Sequence, residues 1–320
     1  MSMTDAFEAL KSSMEGALLT FPITDFDDHD RFDARRYMER IQWLASHGGR
    51  AVFAATAAGE FFSLDRLEYA AVVGAAVQAH RNGPVFAAVG LGTRFACECA
   101  AEAQRLGASG LLVLPPYLIN APQEGLVAHM EAICRAAPGL AVIVYNRANG
   151  VLDAASLVRL AEQCPNFIGL KDGVGDLPAF LEIQSALGDR LCYINGMPTA
   201  ELFAQAYHGV GVDTYSSAIL NFVPEVAVAC HAAIVQEDAA WMARFHKEFL
   251  LPYSRLRASR PGYAVSLIKG GASLIGRPAG PVRPPLVDPS PEELEKLQGL
   301  IASARALGRP SVPQAPAGTL

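Results

Sequence analysis

The chain has 320 residues, 51% of them hydrophobic and 18% charged, which excludes a disordered chain and calls for a large core with sheet faces covered on both sides. Lys and Arg number 26 against 32 Asp and Glu, and the resulting net charge of −6 leaves no bulk basic field for nucleic acid or an anionic membrane. Length alone suggests about two domains, although α/β barrels reach roughly 250 residues as one unit.

The longest uncharged stretch, 106–123, is broken by Pro115-Pro116 and carries Ser109, Asn120 and Pro122, so it does not read as a membrane span. Asp5, Glu8 and Glu15 stand where a secretion signal needs a basic patch and an apolar run. Cys97, Cys99, Cys134, Cys164, Cys192 and Cys230 form no CxxC pair and read as reduced thiols of a cytoplasmic protein.

Along the chain, apolar runs recur at 16–23, 51–55, 85–89, 110–114, 141–145, 167–170, 191–194 and 211–215. Each leads through a loop into an Ala/Leu-rich segment of helical spacing, at 34–47, 64–80, 94–106, 123–136, 154–163, 177–187, 198–207 and 224–236. Such alternation implies parallel pairing through right-handed crossovers, and continuous apolarity suits strands buried on both faces. Eight units predict an α/β fold, a (β/α)8 TIM barrel occupying residues 1–236. Asp33, Ser63, Thr93 and Asp153 are the expected N-caps, and Pro198 suits a first helical turn. Trp241, Met242, Phe245 and Phe249 share one helical face, expected to be core or subunit contact. Ser290-Pro291-Glu292-Glu293 opens a last helix with an N-cap, a first-turn proline and a capping-box Glu. Residues 237–308 are thus expected to be a C-terminal helical extension, and 309–320 a disordered tail.

Barrels of this kind work from the C-terminal ends of their strands. Those ends read Thr56-Ala57-Ala58-Gly59-Glu60, Pro115-Pro116-Tyr117, Tyr145-Asn146-Arg147, Lys171-Asp172-Gly173, Asn195-Gly196-Met197 and Tyr215-Ser216-Ser217. Lys171 closes an otherwise apolar strand; burial would make its amine a neutral nucleophile, the alternative being a rim lysine paired with Asp172. Tyr145, on the neighbouring strand, is either a proton relay or a barrel aromatic whose hydroxyl meets a backbone group. Arg147 suits a carboxylate clamp or a rim ion pair, and Ser216 and Ser217 suit substrate hydroxyls or plain turn chemistry. Other patterns carry less. The 25–30 segment, Asp-Phe-Asp-Asp-His-Asp, lacks the Gly and terminal Glu of a calcium loop and reads as a solvated loop. Gly90-Leu91-Gly92 meets Phe95 where a dinucleotide fingerprint needs glycine, and no HExxH, GxSxG or P-loop motif occurs.

Taken together, the strand ends at 56–60, 145–147 and 169–173 resemble the dihydrodipicolinate synthase / N-acetylneuraminate lyase superfamily, Schiff-base lyases of 2-keto acids. Phe21–Phe26, Gly59–Leu64, Pro115–Leu118, Gly196–Glu201 and Thr214–Ser217 are similar to its branch of 5-dehydro-4-deoxyglucarate dehydratases, over roughly residues 12–308. The resemblance implies an imine between Lys171 and the substrate's keto carbon, with Tyr145 shuttling protons. Substrate binding would fall to Thr56, Ala57, Ala58, Arg147, Asn195, Gly196, Met197, Ser216 and Ser217. It further implies dehydration and decarboxylation of a keto sugar acid, 5-dehydro-4-deoxy-D-glucarate, to 2,5-dioxopentanoate, water and CO2. No metal or organic cofactor is implied beyond the covalent imine, and the chain is expected to form a homotetramer or dimer.

Two positions depart from the wider pattern. Leu118 stands where the synthases carry a second tyrosine, which suits the dehydratase branch. Ala58 replaces a threonine whose hydroxyl touches the substrate carboxylate or the proton relay, a bond worth roughly 1.5–3 kcal/mol, and Thr56 is the candidate to replace it. The alternatives are a Schiff-base aldolase or dehydratase of another 2-keto-3-deoxy sugar acid, and a catalytically impaired paralogue that binds a sugar acid.

Overall fold

Strands buried on both faces leave nothing to satisfy an unpaired edge, and closing the sheet removes the edges altogether. The computed structural model describes residues 2–117 and 120–310 and closes eight parallel strands into one barrel in chain order. Leu118 and residues 311–320 of the expected tail lie outside the described residues. The strands are β1 (Leu18–Thr20), β2 (Val52–Ala54), β3 (Val85–Val89), β4 (Gly110–Val113), β5 (Ala141–Asn146), β6 (Phe167–Asp172), β7 (Cys192–Asn195) and β8 (Tyr215–Ser217). A first helix, α1 (Met3–Met14), precedes the barrel and opens on a Ser2–Asp5 capping box. The helices between strands are α2 (Ala34–Ser46), α3 (Arg66–Ala79), α4 (Thr93–Arg105), α5 (Gln123–Ala136), α6 (Ala154–Gln163), α7 (Leu177–Leu187) and α8 (Ala204–His208). After β8 come α9 (Pro224–Val235), α10 (Ala239–Phe245), α11 (Leu251–Ala258), α12 (Tyr263–Leu274) and α13 (Pro291–Ala306). Among the described residues no helix is long and apolar enough to cross a membrane.

Register and pleat together decide which side chains enter the barrel, because paired residues share a face and successive residues alternate. Tyr145 pairs with Lys171 and Lys171 with Ile194. Ser216 pairs with Leu19, and Leu112 with Ile143. These residues point inward. Their neighbours Asn146, Asp172, Asn195, Tyr215 and Ser217 fall on the opposite face by the same ladder. Below the site the interior is filled by Phe21, Phe53 and Phe86, stacked at 4.6 and 4.7 Å with planes 7° apart. Gly110 makes room for that stack, since a Cβ there would stand 2.3 Å from Phe86.

Local chemistry places several boundaries differently from expectation. The 16–23 run yields three strand residues, its remainder serving as loop. Asp65 rather than Ser63 caps α3, with a capping box to Glu68, because residues 61–63 turn as a short 3-10 segment. Gly92 is the N-cap of α4, so Thr93 is its first residue and bonds His129 at 2.8 Å. The 198–207 helix is broken: Thr199 adopts φ +55°, a 3-10 turn follows at 200–202, and α8 begins only at Ala204. Asp33, Asp153 and Ser290 cap as expected. The 25–30 segment is not simply solvated, since Asp25 and Phe26 are both 0% exposed.

Beneath the strand-2 loop lies a buried ion network. Arg40 holds Asp25 through two bonds of 2.8 and 2.6 Å and also reaches the Arg277 carbonyl at 2.9 Å. Glu60 pairs with Lys269 of α12 at 2.6 Å and accepts the Arg283 backbone N–H at 2.9 Å. Arg283 stacks on Phe26 at 4.0 Å and donates to both carboxylate oxygens of Glu68. Buried charges persist only when paired in this way. The C-terminal segment therefore fixes the loop that follows β2. The aromatic stripe at Trp241, Phe245 and Phe249 is core, and it continues to Tyr253, which stacks on Phe249 at 5.4 Å. Gly271 lets α12 approach Phe222, which a Cβ would meet at 2.7 Å.

Candidate active site

At the C-terminal mouth of the barrel, side chains from the strand ends and the last helices enclose a cavity of about 420 Å³. Lys171 rises into it, 5% exposed, with Nζ 4.3 Å from the Phe21 ring centre and 4.2 Å from that of Tyr145. Burial, and secondarily the Arg147 guanidinium, lowers the Lys171 pKa to about 7. The two ring faces favour the ammonium, worth roughly 0.5–2 kcal/mol, and moderate that shift without reversing it.

Asp172 does not pair with Lys171. It points to the other face of β6, where its carboxylate accepts the Tyr207 hydroxyl and the backbone N–H groups of Val174 and Gly175 at 3.1 and 3.2 Å. Among the described residues the lysine is thus an amine without a counter-ion.

Tyr145 meets a backbone group, as one of its two readings expects. Its hydroxyl donates to the Gly196 carbonyl at 2.7 Å and accepts from Arg147 at 2.9 Å. Burial raises its pKa, so the phenol stays protonated and available as a donor. Arg147 makes no rim ion pair among the described residues, and its guanidinium lies 5.8 Å from the Tyr145 ring centre.

Thr56, Ala57, Ala58, Arg147, Gly196, Met197 and Ser216 all line the cavity. The Thr56 hydroxyl is buried and has no hydrogen-bond partner among the described residues. The chain around it is bent by positive φ at Ala55 (+52°) and Glu60 (+57°), and among the described residues the N–H groups of Ala57 and Ala58 have no backbone acceptor. Asn195 and Ser217 are placed elsewhere. Asn195 braces its own loop, donating to the Ala200 carbonyl at 3.0 Å and accepting the Met197 N–H at 3.1 Å. Ser217 donates to the buried Glu201 at 2.6 Å. The pleat explains both, since each sits one residue from an inward position.

Sequence reading missed much of the wall. Phe21, Phe61, Leu112, Tyr253, Arg257 and Ile268 also line the cavity. Phe21 and Leu112 could have been found from the inward alternation. The contributions of α11 and α12 had no strand-end signal. Among the described residues no group of three or more His, Cys, Asp or Glu side chains is arranged to hold a metal.

A profile of the dihydrodipicolinate synthetase family matches residues 14–304. The chain belongs to that family. Within reach of it are two close relatives, each named "probable 5-dehydro-4-deoxyglucarate dehydratase". The protein from Rhizobium rhizogenes is 48% identical over 93% of this chain and 98% of its own length. That from Polaromonas naphthalenivorans is 48% identical over 92% and 97%. Solved dihydrodipicolinate synthases share the fold at lower identity. The Oceanobacillus iheyensis structure superposes with a TM-score of 0.84 at 20% identity, covering 95% of this chain and 100% of that one. The Bacillus clausii structure gives 0.83 at 24%, covering 92% and 99%. In this member of the dihydrodipicolinate synthetase family the Lys/Tyr pair sits in register on β5 and β6, one on each adjacent strand.

Proposed function

We propose that the chain is a Schiff-base lyase that dehydrates and decarboxylates 5-dehydro-4-deoxy-D-glucarate to 2,5-dioxopentanoate, water and CO2. The observation that carries the chemistry is Lys171, a buried amine lowered to about 7 and paired in register with Tyr145. The names of relatives 48% identical over nearly the whole chain supply the substrate.

In this reading the neutral Lys171 amine adds to the C5 keto carbon and loses water to give an imine. The imine nitrogen accepts the electron pair released when C4 loses a proton. That pair returns to expel the C3 hydroxyl, which leaves as water once protonated. The C1 carboxylate then leaves as CO2, its electron pair running through the new C3–C4 double bond to the nitrogen. Protonation at C4 and ketonisation of the C2 enol give the aldehyde, and hydrolysis of the imine returns the amine. The imine's first water is repaid in that hydrolysis, so one water and one CO2 are released per turnover.

Tyr145 is the proton carrier in this scheme, held toward the amine by the Gly196 carbonyl and by Arg147. The unpartnered Thr56 hydroxyl and the Ala57 and Ala58 N–H groups receive the carboxylate beside the keto carbon. Thr56 thus stands in for the hydroxyl absent at Ala58. No separate cofactor enters the scheme. The enzyme works as a homo-oligomer, dimer or tetramer, whose partner covers the exposed Phe62 and Tyr117 at the cavity rim.

The test is incubation with 5-dehydro-4-deoxyglucarate while CO2, product and borohydride-trapped enzyme are followed together. Stoichiometric CO2 and added mass on the Lys171 peptide are expected. Release of pyruvate instead, or full activity in Lys171→Ala, overturns the reading.

A further inference from the structure

The substrate proposed above carries a second carboxylate at the far end of a six-carbon chain, and that end needs its own anchor. Three cations line the cavity among the described residues: Lys171, Arg147 and Arg257. Lys171 faces the keto carbon in that reading, and Arg147 is bound to the Tyr145 hydroxyl.

We propose that Arg257, in the last turn of α11, recognises the far carboxylate and restricts the enzyme to keto diacids. This rests on the function proposed above. Arg257 is half-buried, and among the described residues its guanidinium has no hydrogen-bond or ion-pair partner. A cation at an apolar wall with its donors unspent is suited to a bidentate carboxylate. The wall beside it is rigid. Tyr253, one turn earlier on the same helical face, is 1% exposed, lines the cavity, and is locked on Phe249 with planes 12° apart. Glu201 is the acidic group whose charge reaches both Arg257 and Tyr253. Its carboxylate is buried and turned to Ser217, and burial holds it toward the neutral form, so it does not consume the guanidinium.

The far carboxylate is also the one that departs as CO2. A guanidinium on it holds charge that decarboxylation must disperse, so Arg257 serves substrate binding and its loss should not lower kcat. It is a specificity residue.

Borohydride trapping with 2-oxoadipate and 2-oxohexanoate, six-carbon keto acids with and without the second carboxylate, isolates this role. The wild-type enzyme is expected to reach half-maximal trapping at about 10- to 100-fold lower 2-oxoadipate. Arg257→Gln should erase that preference by raising the half-maximal 2-oxoadipate concentration to that of 2-oxohexanoate, and Arg257→Lys should restore part of it. On the natural substrate KM should rise about 10- to 100-fold with kcat changed by less than about threefold. A wild-type enzyme with no preference, an R257Q variant that keeps it, or one that loses trapping of both acids overturns the proposal. Preference for 2-oxoadipate without turnover of 5-dehydro-4-deoxyglucarate removes the proposed substrate and leaves the clamp standing.

Discussion

A Cβ on Gly196 would stand 2.5 Å from Cγ and 2.8 Å from Cε of Lys171. The loop after β7 therefore crosses the amine with bare backbone, and its carbonyl is also the one that holds Tyr145. Gly196→Ala must displace either the lysine stem or the loop, because the same Cβ would also stand 2.9 Å from the Asp172 carbonyl oxygen at the end of β6. Borohydride trapping by this variant is expected to slow by at least about 100-fold, since a misplacement of about 1 Å costs that much. Trapping at the wild-type rate would mean that the loop yields freely.

Acidification should act through the amine. With a pKa of about 7, Lys171 is increasingly ammonium below that value and cannot attack a carbonyl. The rate of imine formation is expected to fall about tenfold per pH unit below 7 and to level off above it. Arg147→Gln removes a cation that lowers the lysine, so the acid limb should move to higher pH. A limb that stays in place would remove Arg147 from the tuning of the amine.

Tyr145→Phe separates proton transfer from covalent capture. Loss of a positioned acid–base group costs about 10²–10⁴-fold in kcat, while the amine remains in place to be trapped. Steady-state turnover and borohydride trapping on one preparation distinguish the two. Equal losses in both would make the phenol a structural prop for the lysine.

Thr56→Val carries opposite signs for stability and binding. The hydroxyl is buried without a partner, so replacing it with a methyl of similar volume should raise unfolding stability by about 1 kcal/mol. Substrate KM should rise in the same variant. Denaturant unfolding and kinetics test the pair of effects, and a loss of stability would place an internal acceptor on that hydroxyl.

Lys269→Met should destabilise by about 3–5 kcal/mol, because it strands Glu60 in the interior without its partner at 2.6 Å. The double variant Glu60→Gln with Lys269→Met is expected to cost less than the sum of the single changes. Strict additivity in a denaturant cycle would deny the coupling.

The sequence made the barrel legible because each strand is an unbroken apolar run ending in polar residues, and Lys171 is conspicuous after Phe167–Leu170. What it hid was facing. Asn195 and Ser217 end strands as plainly as Lys171 does, yet they pair with outward residues, and only the register across β6, β7 and β8 separates the two sets. Arg257 and Lys269 were hidden for another reason. Their helices follow the barrel in sequence, α12 is buried on nearly all sides and has no polar stripe to betray it, and its partner Glu60 lies about two hundred residues away. Asp25 read as solvated because its cation, Arg40, arrives from α2.

That Tyr253 and Arg257 reach the cavity from α11, well downstream of Lys171, has a consequence for how such enzymes diversify. The groups that make and break bonds are held by barrel strands under tight steric limits. The wall contributed by Tyr253, Arg257 and Ile268 belongs to α11 and α12, outside the strand ladder. If Arg257 anchors the far carboxylate as proposed, changes at cavity-lining positions between residues 253 and 268 are expected to alter which keto acid is accepted while leaving the amine and the phenol where they stand. Relatives with new substrates are expected to differ first there.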